Sequence, residues 1–162
     1  MKSDTGEITL LRKTGALRVA TPKTAAVVTF PNIAPQTAGD LAVADATTFT
    51  TVSASAMDGA DLRSSSKVLL FHLTDVLSSG MTFPDKERHS IMKKGELPYM
   101  AKVGSVKVML RSDRPGMRLY ALKSDGTPLR EVPAEYRDGA YRFTLAVKPG
   151  ESAALAYQLS PR

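Results

Sequence analysis

The chain has 162 residues, 43% apolar, 23% charged and 6% aromatic, with no cysteine, no tryptophan and a formal net charge of +6. These values describe one globular domain, able to bury about 68–70% of the surface its unfolded form exposes, and they exclude intrinsic disorder, collagen-like repeats and coiled coil. The absence of cysteine also excludes disulfides, thiolate zinc sites, iron–sulfur clusters and cysteine nucleophiles.

The dominant hydrophobic period is two, in short segments separated by turn residues, which is the pattern of β structure. Residues 7–12 and 16–21 flank Lys13-Thr14-Gly15 and predict a hairpin, with Leu17 and Val19 on one face and Arg18 on the other. Residues 25–30 form a third run closed by Pro31, and residues 32–40 read as a Pro/Gly/Ala loop. Residues 47–56, rich in Thr and Ser with Phe49 and Val52, predict a long strand ending at Met57-Asp58-Gly59. Residues 68–73 are apolar on both faces, as a central strand requires.

Residues 78–100, with Gly80, Pro84, Gly95 and Pro98, break the pattern and predict one long irregular loop, with a short helix over 85–92 as an option. Such a loop in a compact domain is commonly functional or partner-facing. Further on, Val106, Val108 and Leu110 share one face while Lys107, Met109 and Arg111 share the other, so one face is buried and one is wet. Residues 118–123 and 128–132 flank Ser124-Asp125-Gly126-Thr127, a turn with its glycine. Tyr141, Phe143 and Leu145 point inward beyond Asp138-Gly139, and a last strand groups Ala153, Leu155, Tyr157 and Leu159. About ten short strands at this spacing predict an all-β fold, a two-sheet antiparallel β-sandwich of jelly-roll-like form. Residues 1–162 read as a single domain.

No 7–15-residue apolar stretch follows a basic start, so no signal peptide is expected. The longest apolar run, Val68-Leu69-Leu70-Phe71, is far too short for a membrane helix, and no membrane partner is expected. Charge is uneven, with seven Lys/Arg against seven Asp/Glu in residues 1–80 and fifteen against nine in residues 81–162. Much of the excess lies in residues 86–118, a basic stretch able to attract nucleic acid, an anionic polysaccharide or an acidic partner domain, or simply a solvated surface.

Catalytic patterns are scarce. Asp4-Thr5-Gly6 matches the aspartic-protease triplet but follows no apolar strand and reads as a turn. No serine sits in a G-x-S-x-G frame. Of the two histidines, His72 lies inside an apolar run and reads as a hydrogen-bonded structural residue, whereas His89 lies in the basic loop. Neither has metal-ligand spacing, so no metal and no cofactor are expected. No glycine-rich nucleotide loop and no RNP-like strand is present, which leaves nucleic acid supported by charge alone. Sugar-binding equipment is thin, with Tyr99, Tyr120 and Tyr136 the aromatics best placed for exposure.

One set of motifs carries a resemblance: Ser3-Asp4-Thr5-Gly6-Glu7-Ile8, Ala20-Thr21-Pro22-Lys23-Thr24-Ala25, Val28-Thr29-Phe30, Met57-Asp58-Gly59, Val68-Leu69-Leu70, Ser79-Gly80-Met81, and Leu119-Tyr120-Ala121-Leu122 with Asp125-Gly126. In this order they resemble a β-sandwich at the C-terminal end of large bacterial glycoside hydrolases, where it packs on a catalytic (β/α)₈ barrel. The resemblance implies a non-catalytic accessory domain, part of a larger enzyme, that docks on and stabilises a catalytic domain of the same polypeptide, with direct polysaccharide binding optional. It also implies a secreted or periplasmic parent and places the catalytic carboxylates outside this chain. The alternative is an independent module that binds an anionic polysaccharide or nucleic acid through residues 86–118. The candidate interaction loop is apolar yet outside the strand pattern, and Met81, Phe83, His89 and Tyr99 represent it.

Overall fold

A computed structural model of the protein describes residues 1–161. One sheet has eight strands in the order β1 (Ile8–Leu11), β2 (Ala16–Ala20), β3 (Thr24–Thr29), β6 (Thr50–Ala56), β7 (Val68–Leu73), β15 (Ala156–Ser160), β11 (Arg118–Leu122) and β12 (Pro128–Val132). A second sheet has five, in the order β13 (Ala134–Arg137), β14 (Ala140–Val147), β10 (Gly104–Arg111), β5 (Leu41–Ala44) and β4 (Gln36–Ala38). The remaining two, β8 (Val76–Ser79) and β9 (Glu96–Ala101), pair only with each other. Every pairing is antiparallel, and the expected all-β two-sheet sandwich is what the chain forms.

The core is the layer between the two sheets. Alternation puts Val106, Val108 and Leu110 of β10 and Tyr141, Phe143 and Leu145 of β14 into it from the smaller sheet. The larger sheet answers with Val27, Val52, Leu70, Leu119, Tyr157 and Leu159. As expected, β7 is central, since it is flanked by β6 and β15. Only its inner residues are covered, however, and Phe71 and Leu73 are exposed on the outer face.

Several boundaries differ from the sequence reading. The strand expected over 47–56 begins at Thr50, with Phe49 exposed and its ring 5.1 Å from that of Phe30. The loop at 32–40 contains β4, a three-residue edge strand too short to carry a period. The last strand starts at Ala156, so Ala153 and Leu155 precede it. The buried residue there is Ala154, whose carbonyl accepts from the Tyr157 hydroxyl at 2.9 Å.

The 85–92 helix does not form, and no helix occurs among the described residues. Arg88 has a φ of 58°, outside the right-handed helical region, and its guanidinium instead pairs with Asp75 and lies 5.2 Å from the Phe83 ring centre.

Tyr141 does more than fill the core. Its hydroxyl donates to the Arg114 carbonyl at 2.7 Å and accepts from the Met117 amide at 2.9 Å, tying the β10–β11 connection to the sandwich. Removing that hydroxyl leaves a buried N–H without a partner, which costs about 1–3 kcal/mol. Urea denaturation of Tyr141→Phe is therefore expected to show a loss of that size with an unchanged m-value. A loss below a few tenths of a kcal/mol would mean the bond contributes nothing.

Candidate functional site

The segment expected as an irregular loop is a projecting β-ribbon. The register sets Val76 opposite Ala101, Leu77 opposite Met100 and Ser78 opposite Tyr99, and an isolated bridge pairs Thr82 with Lys93 further out. The interval between the strands is thus shortened to residues 80–95. The proline, the glycines and the two-residue register shift between Ser78 and Ser79 hid this pairing from a reading of periodicity.

Of the described residues 75–103, none is buried. Leu97 is 75% exposed, Met92 70% and Tyr99 69%, with Ile91, Met100 and Val103 also more than half exposed. A lone two-stranded hairpin is marginally stable in water, and this one presents large apolar side chains to solvent.

The candidate residues Met81, Phe83, His89 and Tyr99 all lie on this ribbon. Tyr99 is exposed on β9, Met81 and Phe83 are half-buried beyond the end of β8, and His89 is exposed. Phe83 is brought to Arg88, while the His89 Nδ1 lies 3.7 Å from Asp85. Asp85, Glu87 and His89 present ligand-type atoms within 4.8 Å of one another on this open surface.

The basic stretch does not become one surface. Lys86, Arg88, Lys93, Lys94 and Lys102 are on the ribbon or its base, whereas Lys107 and Arg111 are on the outer face of the smaller sheet. Several are already engaged. Lys107 pairs with Asp45 at 2.8 Å, which raises its pKa, Arg118 pairs with Glu131 at 3.2 Å, and Arg114 donates to the Ser64 carbonyl.

Other candidates are structural. Asp4-Thr5-Gly6 is a turn, in which the Thr5 hydroxyl donates to Glu7. Asp58 accepts from the Ser66 amide and hydroxyl, the Ser65 hydroxyl and the Ala60 amide, which hold its carboxyl well below the usual range and staple the connection from β6 to β7. The Tyr136 ring packs at a tilt against Tyr141, centroids 4.8 Å apart, its hydroxyl donates to the Ser112 carbonyl at 2.9 Å, and Tyr120 is half-buried. The outer face of the smaller sheet holds a shallow trough of about 450 Å³, floored by Ala42 and Ala44 between Lys107, Met109, Arg142 and Thr144. It contains no carboxylate pair for acid–base chemistry.

His72 is fully buried on the inner face of β7, opposite Val52, and not hydrogen-bonded as the sequence reading expected. Neither ring nitrogen has a partner among the described residues, and burial pushes its pKa down to about 4.

Fold and site together define an antiparallel β-sandwich bearing an exposed apolar ribbon. Comparison with protein-family models, curated proteins and solved structures finds no match to this chain.

Two outcomes test the geometry. Gly95 has a φ of +71°, and a Cβ there would fall 2.6 Å from the Ser79 carbonyl oxygen and 2.7 Å from the Met81 nitrogen. Gly95→Ala is expected to open the ribbon, seen as lost hydrogen-exchange protection at β8 and β9. The global unfolding midpoint should barely move, because the ribbon adds nothing to the core.

For His72, the unfolded chain binds a proton near pH 6.5 that the folded chain resists until about pH 4. The unfolded state therefore holds more protons in that window, and stability falls as pH drops from 6.5 to 4, by on the order of 3 kcal/mol. His72→Leu should remove this part of the pH dependence. An unchanged slope between pH 6.5 and 4 would show that His72 finds a partner for its protonated form.

Proposed function

We propose that this domain is a non-catalytic accessory β-sandwich of a carbohydrate-active enzyme, docking on and stabilising a glycoside hydrolase catalytic domain through the ribbon β8–β9. The observation that carries the reading is the uncovered apolar surface of that ribbon, above all Leu97, Tyr99 and Met92. Covering each such side chain contributes about 1.5–3 kcal/mol of transfer free energy, offset in part by the ordering that association demands. Interfaces between domains of one chain bury about 600–1,500 Å², within reach of a ribbon of this length with its flanking surface.

The nature of the neighbour comes from the motif order between Ser3 and Gly126, which resembles the sandwich that follows a (β/α)₈ barrel. In this reading the hydrolytic carboxylates belong to the barrel, the parent is secreted or periplasmic, and contact with polysaccharide is secondary. The rival reading, an electrostatic site across residues 86–118, is disfavoured by the dispersal of those cations over separate surfaces and by their existing partners.

Salt separates the two, because polyanion binding releases counterions and weakens steeply with salt, whereas apolar docking does not. The domain is expected to bind a glycoside hydrolase barrel supplied in trans with little salt dependence, and Leu97→Lys with Tyr99→Lys is expected to weaken that binding at least about tenfold. Salt-sensitive binding to heparin or DNA, with none to the barrel, would overturn the proposal.

A further inference from the structure

The outer face of the eight-stranded sheet has a property that composition alone does not suggest. Register fixes which side chains share it. Val28, Thr51 and Leu73 form one row, Ala26, Ser53, Phe71 and Ala156 the next, and Thr24, Ser55, Leu69 and Gln158 a third. On β2 the same face carries Leu17 and Val19, and on β1 Leu10 and Ile8. Across six adjacent strands, β1 to β15, no charged side chain points outward, in a chain with 22 Lys/Arg and 16 Asp/Glu. Within the strands the first charges are Arg118 and Glu131 at the far rim, already paired with each other at 3.2 Å, and Lys67 lies exposed just before β7.

Some of its polar groups are satisfied within the face, while the small hydroxyls of Thr51 and Ser53 on β6 are left for solvent or a partner. The Thr24 and Ser55 hydroxyls are 3.1 Å apart, and the Gln158 amide donates to the Ser160 hydroxyl at 3.0 Å. Covering the face therefore strips water from a small number of hydroxyls and from no charge within these strands.

We infer that this face is a self-association surface whose occupant is a second copy of the chain. Charge supports that choice, because two copies at +6 repel through the ribbon lysines or the Lys107 face, whereas here the six strands themselves bring no like charges together and Lys67 stands at their end. Relief supports it as well. The apolar ridge of β7, with Leu69, Phe71 and Leu73, lies beside the small-residue valley of β6, with Ser55, Ser53 and Thr51.

β6 and β7 are the fourth and fifth of the eight strands, so the centre of the sheet runs between them. A two-fold axis along that centre line, parallel to the strands, places the ridge of each copy over the valley of the other. It also preserves height, so Phe71 of each copy meets Ser53 of the other, the reciprocity an isologous interface requires. Sheets stack in this way about 10 Å apart, with strand directions within about 30°. At the usual strand spacing and rise all eight strands measure about 38 Å by 17 Å, or about 600 Å² per copy and 1,200 Å² in all, with β11 and β12 of each copy lying over β2 and β1 of the other. That lies at the lower limit of specific interfaces and fits a micromolar, concentration-dependent dimer.

The test is sedimentation velocity of the whole chain from low to high micromolar concentration. A monomer–dimer equilibrium is expected, and Phe71→Lys or Ser53→Glu alone should each weaken it at least about tenfold, through a desolvated charge at the centre. Circular dichroism should show both variants folded, since both positions face outward. Mixing the two variants is expected to restore association, because Lys at 71 on one chain then meets Glu at 53 on the other. With the changes on separate chains, no pair within one chain can mimic the effect.

A chain that stays monomeric at high micromolar concentration, a dimer that ignores both substitutions, or a mixture no better than its parts would each overturn the inference. So would a monomeric chain whose binding to the barrel is abolished by Phe71→Lys, since the face would then belong to that neighbour. The inference stands apart from the docking proposal, because Leu97→Lys with Tyr99→Lys should leave the dimer intact whatever it does to the barrel.

Discussion

The apolar layer between two sheets of unequal width is the constraint on which the rest of the structure depends. Each strand can contribute only alternate residues to it, so the eight-stranded sheet must send half its side chains elsewhere. Those buried in the layer are mostly aliphatic or aromatic, with His72 the one buried imidazole. Those that go outward are free of packing demands, yet from β1 to β15 they remain uncharged. The ribbon lies outside this arrangement, because it interrupts the path from β7 in one sheet to β10 in the other and adds no residue to the buried layer.

Much of the fold was legible because alternation and turn chemistry agreed. In β10, Val106, Val108 and Leu110 are buried as their spacing required, and β14 follows with Tyr141, Phe143 and Leu145. The Asp138-Gly139 turn, with both residues at positive φ, joins β13 to β14 in the manner of a tight hairpin. What failed has identifiable causes. β4 has three residues and no period to detect. In β2 the face bearing Leu17 and Val19 is the outer one, while Arg18 shares the inner face with Ala16 and reaches the Thr37 carbonyl at 3.2 Å. A rule that sends aliphatics inward and arginine outward inverts this strand.

The candidate site was legible in location and not in form. Residues 78–100 stood out because they were apolar without periodicity, and Met81, Phe83, His89 and Tyr99 do sit together on one projecting element. That the element is a paired ribbon depends on a register shift and on Gly95, whose backbone position no neighbouring side chain announces. The basic stretch shows the opposite failure. The cations of this stretch divide between the ribbon, which carries Lys86, Arg88, Lys93 and Lys94, and the outer face of β10, which carries Lys107 and Arg111, so linear density does not become surface density.

The ribbon and the uncharged sheet face are uncovered for different reasons, and β7 joins them. Along Val68–Leu73 the even positions pack into the core, and the odd positions Leu69, Phe71 and Leu73 form the outer ridge. Three residues later, at Val76, the chain enters β8. At that junction the Thr74 hydroxyl donates to the Lys102 carbonyl at 2.8 Å and the Lys102 amide to the Asp75 carbonyl at 2.7 Å, closing the base of the ribbon on the sandwich. The sandwich therefore fixes where the ribbon emerges while leaving its surface bare. The ridge is held rigidly by the core packing of its alternate residues, whereas the ribbon has only its own ladder. A partner on the ridge meets a preorganised surface, but one on the ribbon must also order an element that is marginal alone. On that ground, association through the sheet face requires less reorganisation per unit area, and contact through the ribbon draws more of its affinity from a few large side chains such as Leu97 and Tyr99.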